Sequence, residues 1–139
     1  MRIEPYLFFN GRCEDAVEFY RQAVGAKVEA LIRFNESPEP PNPECPVPPG
    51  WETKVMHGAF RIGETLVMAS DGHGGGPAEF RGFALSITVK DAAGATTVFD
   101  ALADGGQVQA PLSPTFFASS FGMVVDRFGV MWMVIAPPA

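Results

Sequence analysis

The sequence predicts an α+β fold built from two βαβββ modules, and three observations carry this. The first half reads strand, helix, strand, strand, strand from its apolar periodicity. The second half repeats that order: slid by 80 residues, Phe19, Gly25 and Val28 land on Phe99, Gly105 and Val108. At the closing hairpin, Arg61-Ile62-Gly63 matches Arg127-Phe128-Gly129 at an offset of 66. The first module is therefore longer by the difference between 80 and 66, 14 residues, inserted between helix and hairpin.

Residues 5–9 are apolar and β-favouring, and Asn10-Gly11 ends this strand with turn chemistry. From Glu14 to Val24 the apolar positions Ala16, Val17, Phe19, Tyr20, Ala23 and Val24 recur at helical spacing, and Gly25 is the stop. Strands follow over 28–34, 54–61 and 65–70, the last two joined by a tight Gly63-Glu64 turn. In the second half, residues 96–103 share the helical spacing of 16–23. Phe80 is expected to lead into a strand, and 117–121 to form a strand edge alternating Phe117, Ser119 and Phe121.

The insertion is visible as 36–50, where Pro38, Pro40, Pro41, Pro43, Pro46, Pro48 and Pro49 exclude helix and interior strand. It reads as a surface loop of polyproline character, or else as a lid or dimer arm near a ligand site. Between the modules lies a glycine-rich linker, 72–79. No helix N-terminus follows it, so it is not a phosphate loop. The organisation is one domain, 1–139, with modules at 1–72 and 80–139.

Composition narrows the function. With 139 residues, 47% hydrophobic and 19% charged, the chain has enough apolar surface for a globular core. A net charge of −6 repels phosphate backbones and anionic lipid, so nucleic acid is not an expected partner. No apolar run approaches the roughly 20 residues that span a bilayer, and the first residues lack the pattern of a secretory leader. A cytoplasmic protein is expected, with Cys13 and Cys45 as free thiols.

Two stretches carry a resemblance. His57-Gly58-Ala59-Phe60-Arg61-Ile62-Gly63 running to Met68-Ala69-Ser70-Asp71, and Phe121-Gly122-Met123-Val124-Val125-Asp126-Arg127-Phe128-Gly129 followed by Trp132-Met133, resemble the PhnB-like branch of the vicinal oxygen chelate superfamily, which includes glyoxalase I and the bleomycin-resistance proteins. The opening Pro5-Tyr6-Leu7-Phe8-Phe9-Asn10-Gly11 and the Phe19-Tyr20 pair fit the same branch.

The resemblance implies that the modules form a curved mixed sheet enclosing a cavity, that the chain is a homodimer, and that a small molecule is the partner. It also implies a divalent metal held by His and Glu at the start of each first strand and on each last strand. Those positions fall on Pro5, Leu85, Val67 or Met68, and Met133. None offers the imidazole or carboxylate that a hard or borderline ion needs, so no metal and no other cofactor is expected.

What the resemblance then leaves is an apolar cavity lined by Leu7, Phe9, Met131, Met133 and Ile135. The expected ligand contacts are Tyr6, Phe9, His57, Met68, Phe117, Phe121, Trp132 and Met133. Aromatic faces there suit a planar compound. His57, on a strand face with Val55, Ala59 and Arg61, is an acid, base or hydrogen-bond partner for the ligand, a structural histidine, or a metal ligand. His73, among glycines, reads as solvated, and Asp71 and Asp126 read as turn caps. Cys13, near a helix start, is where the helix dipole lowers a thiol pKa. The alternative to a metal-free binding protein is a lyase, isomerase or dioxygenase-type enzyme using a divalent metal or His57 as base.

Overall fold

The computed structural model describes residues 1–74 and 76–139; Gly75, within the glycine-rich linker, lies outside the described residues. The chain divides into two compact units, Met1–Ala78 and Glu79–Ala139.

The first unit holds strand β1 (Tyr6–Phe8), helix α1 (Cys13–Val24), and strands β2 (Lys27–Arg33), β3 (Val55–Ile62) and β4 (Thr65–Ser70). They form a mixed sheet in the order β1-β4-β3-β2, with β1 parallel to β4 and the other pairs antiparallel. The second unit holds β5 (Leu85–Thr88), α2 (Ala92–Ala103), β6 (Gln107–Ser113), β7 (Ser120–Val125) and β8 (Met131–Ala136). Its order, β5-β8-β7-β6, is the same arrangement. The predicted α+β class and both βαβββ modules are present, and the strands are hydrogen-bonded as two four-stranded sheets, one per module. Residues 80–84 form no strand, and β5 begins only at Leu85.

The 80-residue repeat extends to irregularities. Strand β2 has a register shift between Val28 and Ala30, and β6 has one between Val108 and Ala110. Such bulges bend a strand and raise its twist, so both sheets are bent at the same place by the same device.

One face of each sheet is covered by its helix. In the first unit Leu7 and Phe9 (1% and 2% exposed) pack with Val17, Tyr20, Phe60 and Val67. The Tyr20 ring stacks on Phe60 at 5.9 Å and lies 6.3 Å from Phe9. In the second unit Ala95, Phe99 and Leu102 form the buried stripe of α2, beside buried Val124, Trp132 and Val134. Each large side chain buried this way stabilises the fold by roughly 1.5–3 kcal/mol.

The helices start differently. Helix α2 begins at Ala92, four residues before the shared spacing, because the Asp91 side chain caps it by accepting from the Gly94 N–H at 2.8 Å. Helix α1 has Arg12 at its N-cap and no local side-chain cap. Asp71, at the far end of β4, does this work: its Oδ1 accepts from the backbone N–H groups of Gly11 (2.7 Å) and Cys13 (2.8 Å), and its Oδ2 from Val55 (2.9 Å). One buried carboxylate thus ties the loop after β1, the first turn of α1 and the start of β3 together. Asp126 caps its turn as expected, accepting from Phe128 and Val130, and in addition from the Trp132 indole at 2.9 Å.

The proline-rich insertion hangs from a paired stem. The Phe34 N–H donates to the Lys54 carbonyl (3.1 Å) and the Asn35 N–H to Glu52 (2.9 Å), while residues 38–47 are all exposed. His73 is exposed as expected and meets the Phe34 ring edge-on at 5.6 Å.

Candidate functional site

The face of each sheet opposite its helix is half-exposed and apolar. Strand alternation decides which residues reach it. On β1, Leu7 points to the helix, so Tyr6 and Phe8 stand on the open side, 36% and 56% exposed. Tyr6 registers with Met68 and Phe8 with Ser70, while Ile32 registers with His57 and Ala30 with Ala59. The open face of the first unit therefore carries Tyr6, Phe8, Met68, Ser70, His57 and Ile32.

At its centre the Tyr6 hydroxyl lies 2.9 Å from His57 Nδ1, and the two rings are 5.7 Å apart. The Tyr6 ring also meets Phe8 at 5.0 Å. Burial raises the Tyr6 phenol above its ordinary pKa, against a hydrogen bond with Ser70 that lowers it. The result is a phenol–imidazole pair beside the Ser70 hydroxyl, bordered by the apolar side chains of Phe8, Ile32 and Met68.

In the second unit the buried set Trp132, Val134 and Ala136 faces α2, so Met131, Met133 and Ile135 stand on the open side. Across from them Phe121 registers with Ile135, Met123 with Met133 and Val125 with Met131.

Of the residues expected to touch a ligand, Tyr6, His57 and Met68 come together in the first unit, and Phe121 and Met133 in the second. Three expectations are corrected. Phe9 and Leu7 are core residues, because a strand that shows Tyr6 to one side shows its odd-numbered neighbours to the other. Trp132 is 2% exposed and faces α2 for the same reason, its indole N–H spent on Asp126. Phe117 lies in the bend before β7, 45% exposed between Phe116 and Phe121, so the expected alternating edge does not form there. Phe8, Ile32 and Ser70 were missed, although counting by two from Tyr6, Met68 and Ala30 reaches all three.

Cys13 also departs from expectation. Its thiol is fully buried, and burial, together with the nearby Asp71 and Glu14 carboxylates, pushes it up to about 12. Desolvation outweighs the helix dipole, which leaves Cys13 an inert core residue.

The first unit also contains a polar cavity of about 270 Å³ lined by residues including Glu14, Arg33, Lys54 and Asp71. Asp15 lines it as well, and most of its other charged groups are engaged. Arg33 pairs with Glu14, holding that carboxyl below its ordinary pKa, and donates to the Thr53 carbonyl at 2.8 Å, while Lys54 donates to the Gly11 carbonyl at 2.9 Å. These contacts brace the loop stem against α1.

This pair of βαβββ units with open apolar faces defines the class, the glyoxalase and bleomycin-resistance fold. The chain belongs to the PhnB-like family described as 3-demethylubiquinone-9 3-methyltransferase, whose model matches residues 1–135. It is 34% identical over 138 residues to Protein YjdN of Escherichia coli (strain K12), covering 96% of this chain and 94% of that one. Among solved structures it is similar to protein PA1353 from Pseudomonas aeruginosa, with 44% identity, a TM-score of 0.85 and coverage of 99% and 98%. A PhnB protein from Bacillus cereus has 26% identity, a TM-score of 0.80 and coverage of 98% and 99%. At 16% identity a glyoxalase-related enzyme from Fulvimarina pelagi shares the fold alone, with a TM-score of 0.64 and coverage of 99% and 89%.

The divalent ion that the superfamily implies can be tested against the donors. Since Tyr6 registers with Met68 and Ser86 with Met133, the first-strand residues beside the last strands on the open faces are Tyr6 and Ser86. Pro5 and Leu85 are displaced by one position, and Leu85 lies opposite Trp132 on the helix side. Phenol, hydroxyl and two thioethers do not fit a hard or borderline divalent cation. Among the described residues no group of three or more His, Cys, Asp or Glu side chains is arranged so that it could hold a metal ion.

Proposed function

We propose that this chain is a small-molecule binding protein that holds an apolar, planar ligand on the open face of its first unit without a divalent metal cofactor, and that it works in the cytoplasm as a homodimer. The observation that carries the reading is the Tyr6–His57 hydrogen bond of 2.9 Å on a face that also carries Phe8, Ile32, Met68 and Ser70. Binding sites for small molecules combine an apolar lining with a few placed polar groups. Here the aromatic rings offer stacking area, methionine adapts to ligand shape, and the phenol–imidazole pair offers a directional contact. Among the described residues no helix is long and apolar enough to cross a membrane.

The test is a thermal-shift screen of planar aromatic compounds carrying a carbonyl or hydroxyl. A ligand near 100 times its Kd stabilises the folded state by about 2.7 kcal/mol, and Tyr6→Phe and His57→Ala should each reduce that shift. Failure of every compound to shift the transition at high concentration would overturn the reading.

The same hydrogen bond supports a second reading, an enzyme in which Tyr6 orients His57 as general base. Unchanged turnover of a discovered substrate in His57→Ala would remove it.

A further inference from the structure

Three methionines share the open face of the second unit. Met123 on β7 is the registered partner of Met133 on β8, and Met131 lies two residues along β8 on the same face. Directly opposed side chains have Cβ atoms about 4.5–5.5 Å apart, and diagonal ones remain within reach of long side chains. Methionine has three rotatable bonds with which to bring its sulfur inward. The flanks leave room, because Met123 registers with Ala110 on β6 and Met133 with Ser86 on β5. The neighbours along β7 and β8 are Phe121, Val125 and Ile135, and both histidines and both cysteines of the sequence lie in the first unit.

We infer that Met123, Met131 and Met133 form a binding site for a soft monovalent cation, Cu(I) or its chemical equivalent Ag(I). Neutral thioether sulfurs select such ions, while zinc, nickel and manganese require imidazole, thiolate or carboxylate. The oxygen donor registered beside Met133 is the neutral Ser86 hydroxyl, which lacks the charge a harder competitor needs from its ligands. The chain's net charge of −6 offsets the positive charge brought in. The site does not depend on the ligand-binding reading, which rests on the face of the first unit.

The experiment is an anaerobic titration of the full chain with Cu(I), in competition with a chromogenic Cu(I) chelator. Cys45→Ser serves as the background, because Cys45 is an exposed thiol that would compete. One equivalent is expected per chain. Met123→Leu and Met133→Leu, which preserve volume, should each weaken retention at least tenfold while the thermal transition of the metal-free protein stays within a few degrees. Ag(I) should compete for the site and Zn(II) should not. X-ray absorption of the loaded protein should show sulfur-only coordination. No retention of Cu(I), retention indifferent to both leucine variants, or nitrogen coordination placing the ion on His57 would each overturn the assignment. Methionine-dependent uptake of Zn(II) would overturn its selectivity.

Discussion

Cys13 shows how burial reverses an expectation drawn from position. A thiol at the first turn of a helix gains from the dipole only while water solvates its charged form, and here it is fully buried against the Asp71 carboxylate. The consequence is a pH dependence of stability. The unfolded thiol ionises near its ordinary value of 9.0, the folded one at about 12, so between those values the unfolded chain holds fewer protons and stability falls as pH rises. Below pH 9.0 the contribution is fully present; through the window up to about 12 it is lost, at up to ~1.4 kcal/mol per pH unit. Urea unfolding of Cys13→Ala should therefore decline less steeply with alkaline pH than that of the parent chain. Asp71 carries a different cost. All its listeners are backbone donors, and Asp71→Asn would turn an amide N–H₂ toward at least one of them, lowering stability by about 2–3 kcal/mol in chemical denaturation.

At the scale of elements, the fit between strands and helix rests on a few close approaches. A Cβ on Gly122 would lie 2.8 Å from the Phe99 ring and 3.0 Å from the Ala110 carbonyl. Gly122→Ala should push α2 off β7 and cost about 1–3 kcal/mol, read as a lower denaturation midpoint. Much of this level was legible in the sequence. Helix α1 announced itself by spacing and by Gly25, which ends it at φ 69°. Strand β4 falls on the predicted residues 65–70. The site was legible only in part. Apolarity marks Tyr6, Leu7, Phe8 and Phe9 alike, and what separates open face from core is parity against the sheet, which is fixed once a partner such as Met68 is known. Asp71 as a cap for α1 was invisible because its partners lie 58 and 60 residues away.

For the molecule as a whole, the duplicated architecture is explicit in the shared strand order and in the paired bulges of β2 and β6. The fold follows from that pattern, while the function does not, because one fold hosts many functions. Homodimer formation is checked by sedimentation: a species of twice 14.9 kDa is expected at micromolar concentration, and a persistent monomer would remove it from the proposal. The proline-rich insertion leads to a different expectation. Its stem is sealed by the Phe34–Lys54 and Asn35–Glu52 hydrogen bonds, and Asp71 fastens Val55 just beyond. Residues 38–47 thus contribute a covalent link but little of the hydrogen bonding that keeps their neighbours in place. A protease cut between Glu44 and Cys45 should be silent: the two pieces travel together on a native column and part only in denaturant, so this polypeptide can be treated as two complementary fragments that recognise each other.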